Sequence, residues 1–311
     1  MTQAGRYVFG PVASRRLGRS LGVDIAPAKV CTLDCVYCEV GRTTLRTADR
    51  GPYVPMEEVL AELESRLREG IQPDYITITG SGEPTLNSQL GQIIDRIKAF
   101  STVPVALITN GTLFHRPDVR NEAAKADLVM PTLDAADQST FEAIHRPHPD
   151  ITIEDVVEGL AAFRAQYRGP IWLEVFLVAG VNTSAEHIQR LKALIARVRP
   201  DKVQLNTAVR PTADAHVPRP TAAQLQAIAA EMGPDCEIIA DVSSLPASTG
   251  TAIKPHDLLA LLRRRPCTMD DLCTGLGVTR DQAASHVNAL VRTRQIVSEV
   301  RDGVTFYRTA S

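Results

Sequence analysis

The chain has 311 residues, 44% of them hydrophobic and 23% charged, with a formal net charge of −2. That length suits one domain of about 200–250 residues plus a small one, or two medium ones, and the composition excludes a disordered polymer. No apolar stretch reaches the roughly 18 residues that span a bilayer, and the N-terminus has no apolar h-region, so no membrane anchor or signal peptide is expected and the chain reads as cytoplasmic.

Taken from the N-terminus, the first feature is a basic cluster, Arg15, Arg16 and Arg19. It suits either an anionic substrate such as RNA phosphate or pairing with acidic residues of the fold. A cysteine loop follows at 29–44, with Cys31, Cys35 and Cys38 in the spacing C-x3-C-x2-C and Tyr37 directly before the last cysteine. Lys29, beside it, reads as a solvated or salt-bridged lysine. The other cysteines, Cys236, Cys267 and Cys273, are scattered. Six cysteines in a chain read as cytosolic point to metal binding or catalysis more than to disulfides. Structural zinc sites usually take four ligands, whereas this loop offers three thiolates and no nearby histidine. Three thiolates suit a cubane iron–sulfur cluster with one iron left open. An open iron is useful only if something other than protein binds it. The amino-acid part of S-adenosylmethionine (SAM) is the known occupant for this spacing, and Tyr37 can cover it. The alternative is a zinc or redox site completed from elsewhere, for example by Cys236.

At 56–70, Val59, Leu60, Leu63 and Leu67 share one helical face and Gly70 fits a stop. β-like runs follow at 75–79, 105–109, 126–134, 171–178, 201–206 and, more weakly, 236–240. Helical patterns fall at 88–100, 138–145, 153–168, 185–198 and 221–232, with Ser184 and Thr221 where N-caps belong. Such alternation implies an α/β fold of right-handed βαβ units with a parallel sheet. A partial or full (β/α) barrel and an open doubly wound sheet both fit the pattern. In either, ligands gather at the C-terminal strand ends. Those ends carry Gly80, Gly82 and Glu83, then Asn110, Asp134, Glu174, and Gln204 with Asn206. Glycines let backbone approach a ligand, and Glu83 offers a carboxylate to an ammonium. Singly, each has a bland reading as a turn, an edge or a cap. Together with the cysteine loop they describe a site for a polar, zwitterionic nucleoside.

The composition turns to Ser, Thr, Pro and Gly at 243–253, a linker signature that separates 1–242 from 254–311. Beyond it come a helix, two helices joined by a short turn, and two strands around Asp302-Gly303, the order of a winged helix. This part holds nine Lys/Arg against six Asp/Glu. Its second helix of the pair offers Arg280, Asn288, Arg292 and Arg294, and its wing Arg301 and Arg308. Nucleic-acid contact and a peptide or partner-protein clamp both remain open. Cys267 and Cys273 read as residues of this small domain, not as metal ligands.

Stretches 9–44, 74–87, 107–113 and 203–211 carry a family resemblance that covers the region to about 240. The chain resembles radical SAM enzymes, and more closely the branch grouped with wyosine tRNA synthases. The resemblance implies a partial (β/α)6 TIM-like barrel, a [4Fe–4S] cluster on Cys31, Cys35 and Cys38, and SAM as cofactor. It implies that Gly82 and Glu83 handle the SAM amine, that Asn110 and Asp134 lie near the cofactor, and that Glu174 approaches the ribose. Tyr37, Gly80 and Asn206 complete the expected cofactor site. The implied chemistry passes one electron to the sulfonium and yields a 5′-deoxyadenosyl radical, which takes hydrogen from a substrate. Implied partners are an electron donor such as flavodoxin or ferredoxin and a tRNA or other nucleic acid as substrate. Wyosine-forming relatives carry a second cluster on widely spaced N-terminal cysteines; this sequence has no cysteine before Cys31, so their reaction is not expected. Two other functions compete: a radical SAM enzyme acting on a peptide or small molecule, and an iron–sulfur redox-sensing regulator that binds nucleic acid. The polar strand ends argue against the regulator, because a sensor needs no SAM pocket.

Overall fold

The computed structural model describes residues 7–240, 255–301 and 303–310. The expected linker at 243–253 and Asp302 of the expected hairpin turn lie outside the described residues.

The chain opens with an antiparallel hairpin, β1 (Val8–Ser14) and β2 (Gly18–Asp24). The cysteine loop contributes two short paired strands, β3 (Val30–Cys31) and β4 (Leu45–Arg46). The alternating part follows as α1 (Met56–Arg68), β5 (Tyr75–Thr79), α2 (Leu90–Phe100), β6 (Val105–Ile108), α3 (Pro117–Ala123) and β7 (Leu128–Met130). It continues through α4 (Gln138–His145), α5 (Ile153–Gln166), β8 (Trp172–Phe176), α6 (Ala185–Val198), β9 (Lys202–Asn206), α7 (Ala222–Met232) and β10 (Cys236–Ile238). All six expected strands are present, and Ser184 and Thr221 do cap α6 and α7. The sequence reading missed β1, β2 and α3. In β1 the ladder shifts register between Phe9 and Val12, where Gly10-Pro11 sits. Proline is tolerated there because β1 is an edge strand.

Strands β1-β2-β5-β6-β7 form one hydrogen-bonded row and β8-β9-β10 another. Parallel bridges Val129↔Ile171 and Thr132↔Glu174 join β7 to β8. From β2 to β10 every pairing is parallel and the order follows the sequence without reversal. A doubly wound sheet reverses at a switch point, so this order removes that alternative. The row also bends back on itself: Arg15, in the β1–β2 turn, donates to the Ile239 carbonyl just past β10, at 2.7 Å. Inside and around it, Leu21, Val23, Ile76, Ile78, Leu107, Leu173 and Leu205 are fully buried against the helices.

The C-terminal part comprises α8 (Pro255–Leu262), α9 (Met269–Leu276), α10 (Arg280–Arg292), β11 (Ile296–Arg301) and β12 (Val304–Thr309). Thr268 and Thr279 close capping boxes on α9 and α10. A second core joins Leu258, Leu261, Leu262, Cys267, Leu272, Val287 and Leu290 to Val12 of β1. This segment is therefore docked on the β1–β2 hairpin. Two buried ion pairs fasten it: Arg210 to Asp271 at 2.9 Å, and Arg66 to Asp257 at 2.7 Å. Helix α10 buries Ala283, Val287 and Leu290 and turns Arg280, Asn288 and Arg292 outward. No helix among the described residues is long and apolar enough to cross a membrane.

Candidate active site

The cysteine loop is clamped at the C-terminal strand edge by main-chain bonds. The amides of Asp34 and Val36 donate to the His145 and Ile144 carbonyls at 2.8 and 2.9 Å. These carbonyls end α4 and have no partner within the helix, so loop and helix end satisfy each other. From the other side, the amides of Ala213 and Asp214 donate to the Cys38 and Val36 carbonyls, both at 2.9 Å. Arg146 adds a two-pronged pair to Asp214, and Arg42 bridges Asp34 and Asp214. Lys29 donates from its ammonium to the Val40 carbonyl across the loop.

Burial pushes the Cys31 thiol up to about 12, with the Glu83 carboxylate adding to the effect. Cys35 is raised well above its ordinary value by burial and then by its neighbours Cys31 and Cys38. The three thiols lie close enough to act on one another through space, and a metal group that binds them must displace their protons. Among the described residues no three His, Cys, Asp or Glu side chains are arranged to hold a single metal ion. A cubane, which takes one thiolate at each of three irons, suits this donor set. Cys236 does not complete it. It pairs with Val203 at the start of β9, three residues before Asn206, or about 10 Å from the strand-end site.

The glycine-rich turn after β5 serves packing first. A Cβ on Gly82 would lie 1.9 Å from the Val30 carbonyl oxygen, and one on Gly80 would lie 2.7 Å from Ala26. These glycines let the turn press against the cysteine loop, where the sequence reading had them approach a ligand. Glu83 is 2% exposed and holds four protein donors: Thr85 N at 3.0 Å, Thr85 Oγ1 and Thr109 Oγ1 at 2.6 Å, and Asn110 N at 2.9 Å. Burial raises its carboxyl, and those donors hold it back. Asn110 in turn donates from Nδ2 to Thr32 Oγ1 at 2.8 Å and to Cys31 Sγ at 3.6 Å.

Asp134 anchors the opposite side. Its carboxylate accepts from Tyr37 OH and from Phe176 N, both at 2.5 Å. The Tyr37 ring stacks on Phe176 with centroids 3.7 Å apart. His145, which sequence reasoning missed, stands between Asp134 and the loop. Its Nε2 is 3.3 Å from Asp134 and its Nδ1 is 3.1 Å from Cys35 Sγ. The residue lies 110 positions from Cys35 and carries no local signal. Glu174 faces inward, where Arg16 pairs with it at 2.5 Å. Asn206 receives Arg15 at 3.4 Å.

A cavity of about 380 Å³ opens inside this edge, lined by Tyr37, Cys38, Gly80, Glu174, Phe176 and Asn206. Gly82, Glu83, Asn110 and Asp134 are not among its lining residues; Glu83, Asn110 and Asp134 are bonded to protein groups at its edge. Its roof is the start of the C-terminal segment, with Leu261, Arg264, Arg265 and Asp271 on the cavity. No motif or spacing in the sequence points to this roof. A wider groove of about 1140 Å³ runs between residues 208–219 and the β11–β12 hairpin and shares Arg210, Asp271 and Thr274 with the cavity.

Sequentially ordered parallel strands, with three thiols and a cavity at their C-terminal edge, define an α/β enzyme of the cluster-bearing kind. The chain belongs to the Radical SAM superfamily, whose family model matches residues 25–194, more than half of its length. It is 31% identical over 304 residues to a UPF0026 protein of Helicobacter pylori, covering 96% of each chain. It is 34% identical over 305 residues to a Brachyspira hyodysenteriae protein described as GTPase Obg; the match covers 97% of this chain but 45% of that protein, so the chain spans less than half of that relative. The crystal structure of a radical SAM methyltransferase from Sphaerobacter thermophilus superposes with a TM-score of 0.54 at 19% identity, covering 70% of this chain and 66% of that one, a likeness of fold alone. The chain thus carries a radical SAM domain, of a superfamily of enzymes that uses a [4Fe–4S] cluster and SAM.

Proposed function

We propose that Cys31, Cys35 and Cys38 hold the [4Fe–4S] cluster and that the enzyme cleaves SAM reductively in the cavity below α8 and α9. The observation that carries this reading is three half-buried cysteines on one loop, Cys38 among them lining a cavity with Tyr37, Gly80, Glu174 and Asn206. Bound there, a cluster would pass one electron to SAM, whose C–S bond would break to release methionine and leave a carbon radical able to take hydrogen from a substrate. The chain's own residues then position and enclose. In this reading Glu83 and Gly82 hold the SAM amine, with one Glu83 oxygen still able to accept. Asn110 and Asp134 fix the walls through Cys31 and Tyr37, and Glu174 meets the ribose beside Arg16. A one-electron donor such as flavodoxin or ferredoxin supplies the cluster.

The partial (β/α)6 barrel and a C-terminal winged-helix domain at 254–311 belong to the same proposal; the strand order and the helix–helix–helix–hairpin order support them. The wyosine-like kinship rests on stretches 9–44 and 74–87 and does not extend to that reaction. A small substrate is favoured over a tRNA nucleoside. The C-terminal segment roofs the cavity, and the wing arginines Arg301 and Arg308 are both paired with Glu299.

Anaerobic reconstitution followed by dithionite should give 5′-deoxyadenosine from SAM. An intact cluster with no cleavage would overturn the reading. The tRNA nucleoside masses of a deletion strain should match those of its parent; a missing modified nucleoside would restore the tRNA alternative.

A further inference from the structure

The cavity wall carries five guanidinium groups, Arg15, Arg16, Arg210, Arg264 and Arg265, against the carboxylates Asp24, Glu39, Glu174 and Asp271. Three of the arginines are matched. Arg16 pairs with Glu174, Arg264 lies 3.3 Å from Asp24, and Arg210 spans Glu39 at 3.3 Å and Asp271 at 2.9 Å. All four acids are used in these pairs. Arg15 bonds only neutral acceptors, the Ile239 carbonyl and the Asn206 amide oxygen. Arg265 has neither an ion pair nor a side-chain hydrogen bond among the described residues, although it acts on Glu39 and Asp271 through space. The basic cluster that the sequence presented as one unit is therefore divided: Arg16 lines the cavity paired with Glu174, Arg19 is exposed, and Arg15 lines the cavity without a carboxylate partner among the described residues.

A half-buried guanidinium without a counter-charge is costly to desolvate, and an anion is the ligand that offsets the cost. Burial and then the Arg210 charge push the Arg15 guanidinium down to about 10, against a smaller pull from Glu39. Both groups stand on one 380 Å³ space, one from the β1–β2 turn and one from the turn after α8.

We propose that the substrate carries an anionic group, a phosphate or a carboxylate, seated between Arg15 and Arg265. This makes the C-terminal segment part of the substrate site and deepens the SAM-cleaving reading, on which it rests. Arg15 and Arg265 are positioning residues for the substrate and take no part in SAM cleavage itself. Two forked donors facing one space favour a planar or tetrahedral oxyanion over a neutral group.

The test titrates the cluster-reconstituted, SAM-loaded full chain with inorganic phosphate, and separately with acetate, at constant ionic strength under anaerobic calorimetry. One equivalent of at least one anion should bind. Saturation by phosphate alone assigns a phosphorylated substrate, and saturation by acetate assigns a carboxylate. Arg15→Gln and Arg265→Gln should each weaken binding at least about tenfold, the scale of one lost charge-assisted bond. Arg15→Lys, which keeps the charge and loses the fork, should fall between. Arg263→Gln, on the exposed neighbour, should leave binding unchanged. No saturable binding, or equal binding by all variants, would overturn the proposal. So would binding seen only when SAM is omitted, because the pair would then serve the SAM carboxylate. Dithionite-dependent 5′-deoxyadenosine formation by the same wild-type sample reports separately on the SAM reading. Its absence beside intact anion binding sinks that reading and leaves the anion site standing.

Discussion

The cysteine loop and the C-terminal segment close the same cavity by different physical means. The loop is held through its backbone: four amides and carbonyls of residues 34–38 are matched to the end of α4 and to residues 213–214. The C-terminal segment is held through side chains, by the apolar contact of Val12 with Leu258 and Leu261 and by the pairs Arg210–Asp271 and Arg66–Asp257. Main-chain clamping fixes a shape while demanding few residue types, namely the cysteines and a glycine where a Cβ would collide. Side-chain docking demands particular partners, scattered over the sequence. The first kind of closure should tolerate surface change and fail at its few fixed points. The second should fail at any buried charge left alone.

The largest effect is expected at the fixed points of the loop. Cys31→Ala removes a thiolate that no neighbour can replace, and reconstituted iron and sulfide should fall to background together with SAM cleavage. Cys236→Ser should retain the full iron content, since that residue opens β10 opposite Val203, at the end of the strands away from the cysteine loop. Iron loss in Cys236→Ser equal to that in Cys31→Ala would show that the loop is not the whole ligand set.

Arg210→Met tests the docking of the C-terminal segment. The guanidinium is 3% exposed and serves two carboxylates, Glu39 and Asp271, so its removal strands buried negative charge. About 3–5 kcal/mol of stability should be lost in urea unfolding. A pH series sharpens the point. Burial pushes the Asp271 carboxyl up, but the Arg210 charge and hydrogen bond outweigh it and hold the group below its ordinary value. A carboxyl lowered in the folded state contributes stability above its unfolded pKa of about 3.9, and the contribution fades as pH falls through the lower folded value. Wild type should therefore lose this part of its stability only below about pH 4, and Asp271→Asn should show a flatter acid limb. Parallel acid limbs in the two proteins would mean that the pair does not fasten the segment.

Gly82→Ala returns to the loop. The new methyl would meet the Val30 carbonyl oxygen at 1.9 Å, and the contact is with backbone, which cannot swing aside. A cost of about 1–3 kcal/mol is expected, the range for overpacking a filled site, with weaker cluster retention on dilution. Unchanged cluster retention would show that the turn after β5 does not support the loop.

The same contrast explains what was legible in the sequence. The three cysteines and the polar strand ends were readable because a backbone-built site repeats a spacing, and the βαβ pattern was readable because each helix face must cover its strand. The sequence run 126–134 gave only a three-residue strand, β7, because beyond Met130 the chain turns to place Asp134 under Tyr37. The hairpin β1–β2 escaped because Gly10-Pro11 breaks its period at an edge. His145 and Arg265 escaped because their roles exist only in three dimensions, each meeting the site from an element distant in sequence; Arg210 was visible just past the fifth strand end, but its partners Glu39 and Asp271 were not. Glu174 was readable as an odd polar residue in an apolar strand, but not its partner Arg16, 158 positions away.

The smallest effect is expected on the outer face of the C-terminal segment. Arg280 pairs with Asp270, and their side chains are 69% and 81% exposed, so water competes fully for both. Arg280→Gln should change unfolding free energy by less than about 0.5 kcal/mol, the scale of an exposed pair. It should also leave SAM cleavage unaltered, because α10 turns this residue away from the cavity that α8 and α9 roof. Adding Arg292→Gln on the same face should not enlarge the effect. A loss above about 1 kcal/mol, or reduced cleavage, would show that the outward face is covered in the working enzyme. The contrast between a docked inner face and a solvated outer one would then fail, and α10 would have to be counted with the elements that hold the site closed.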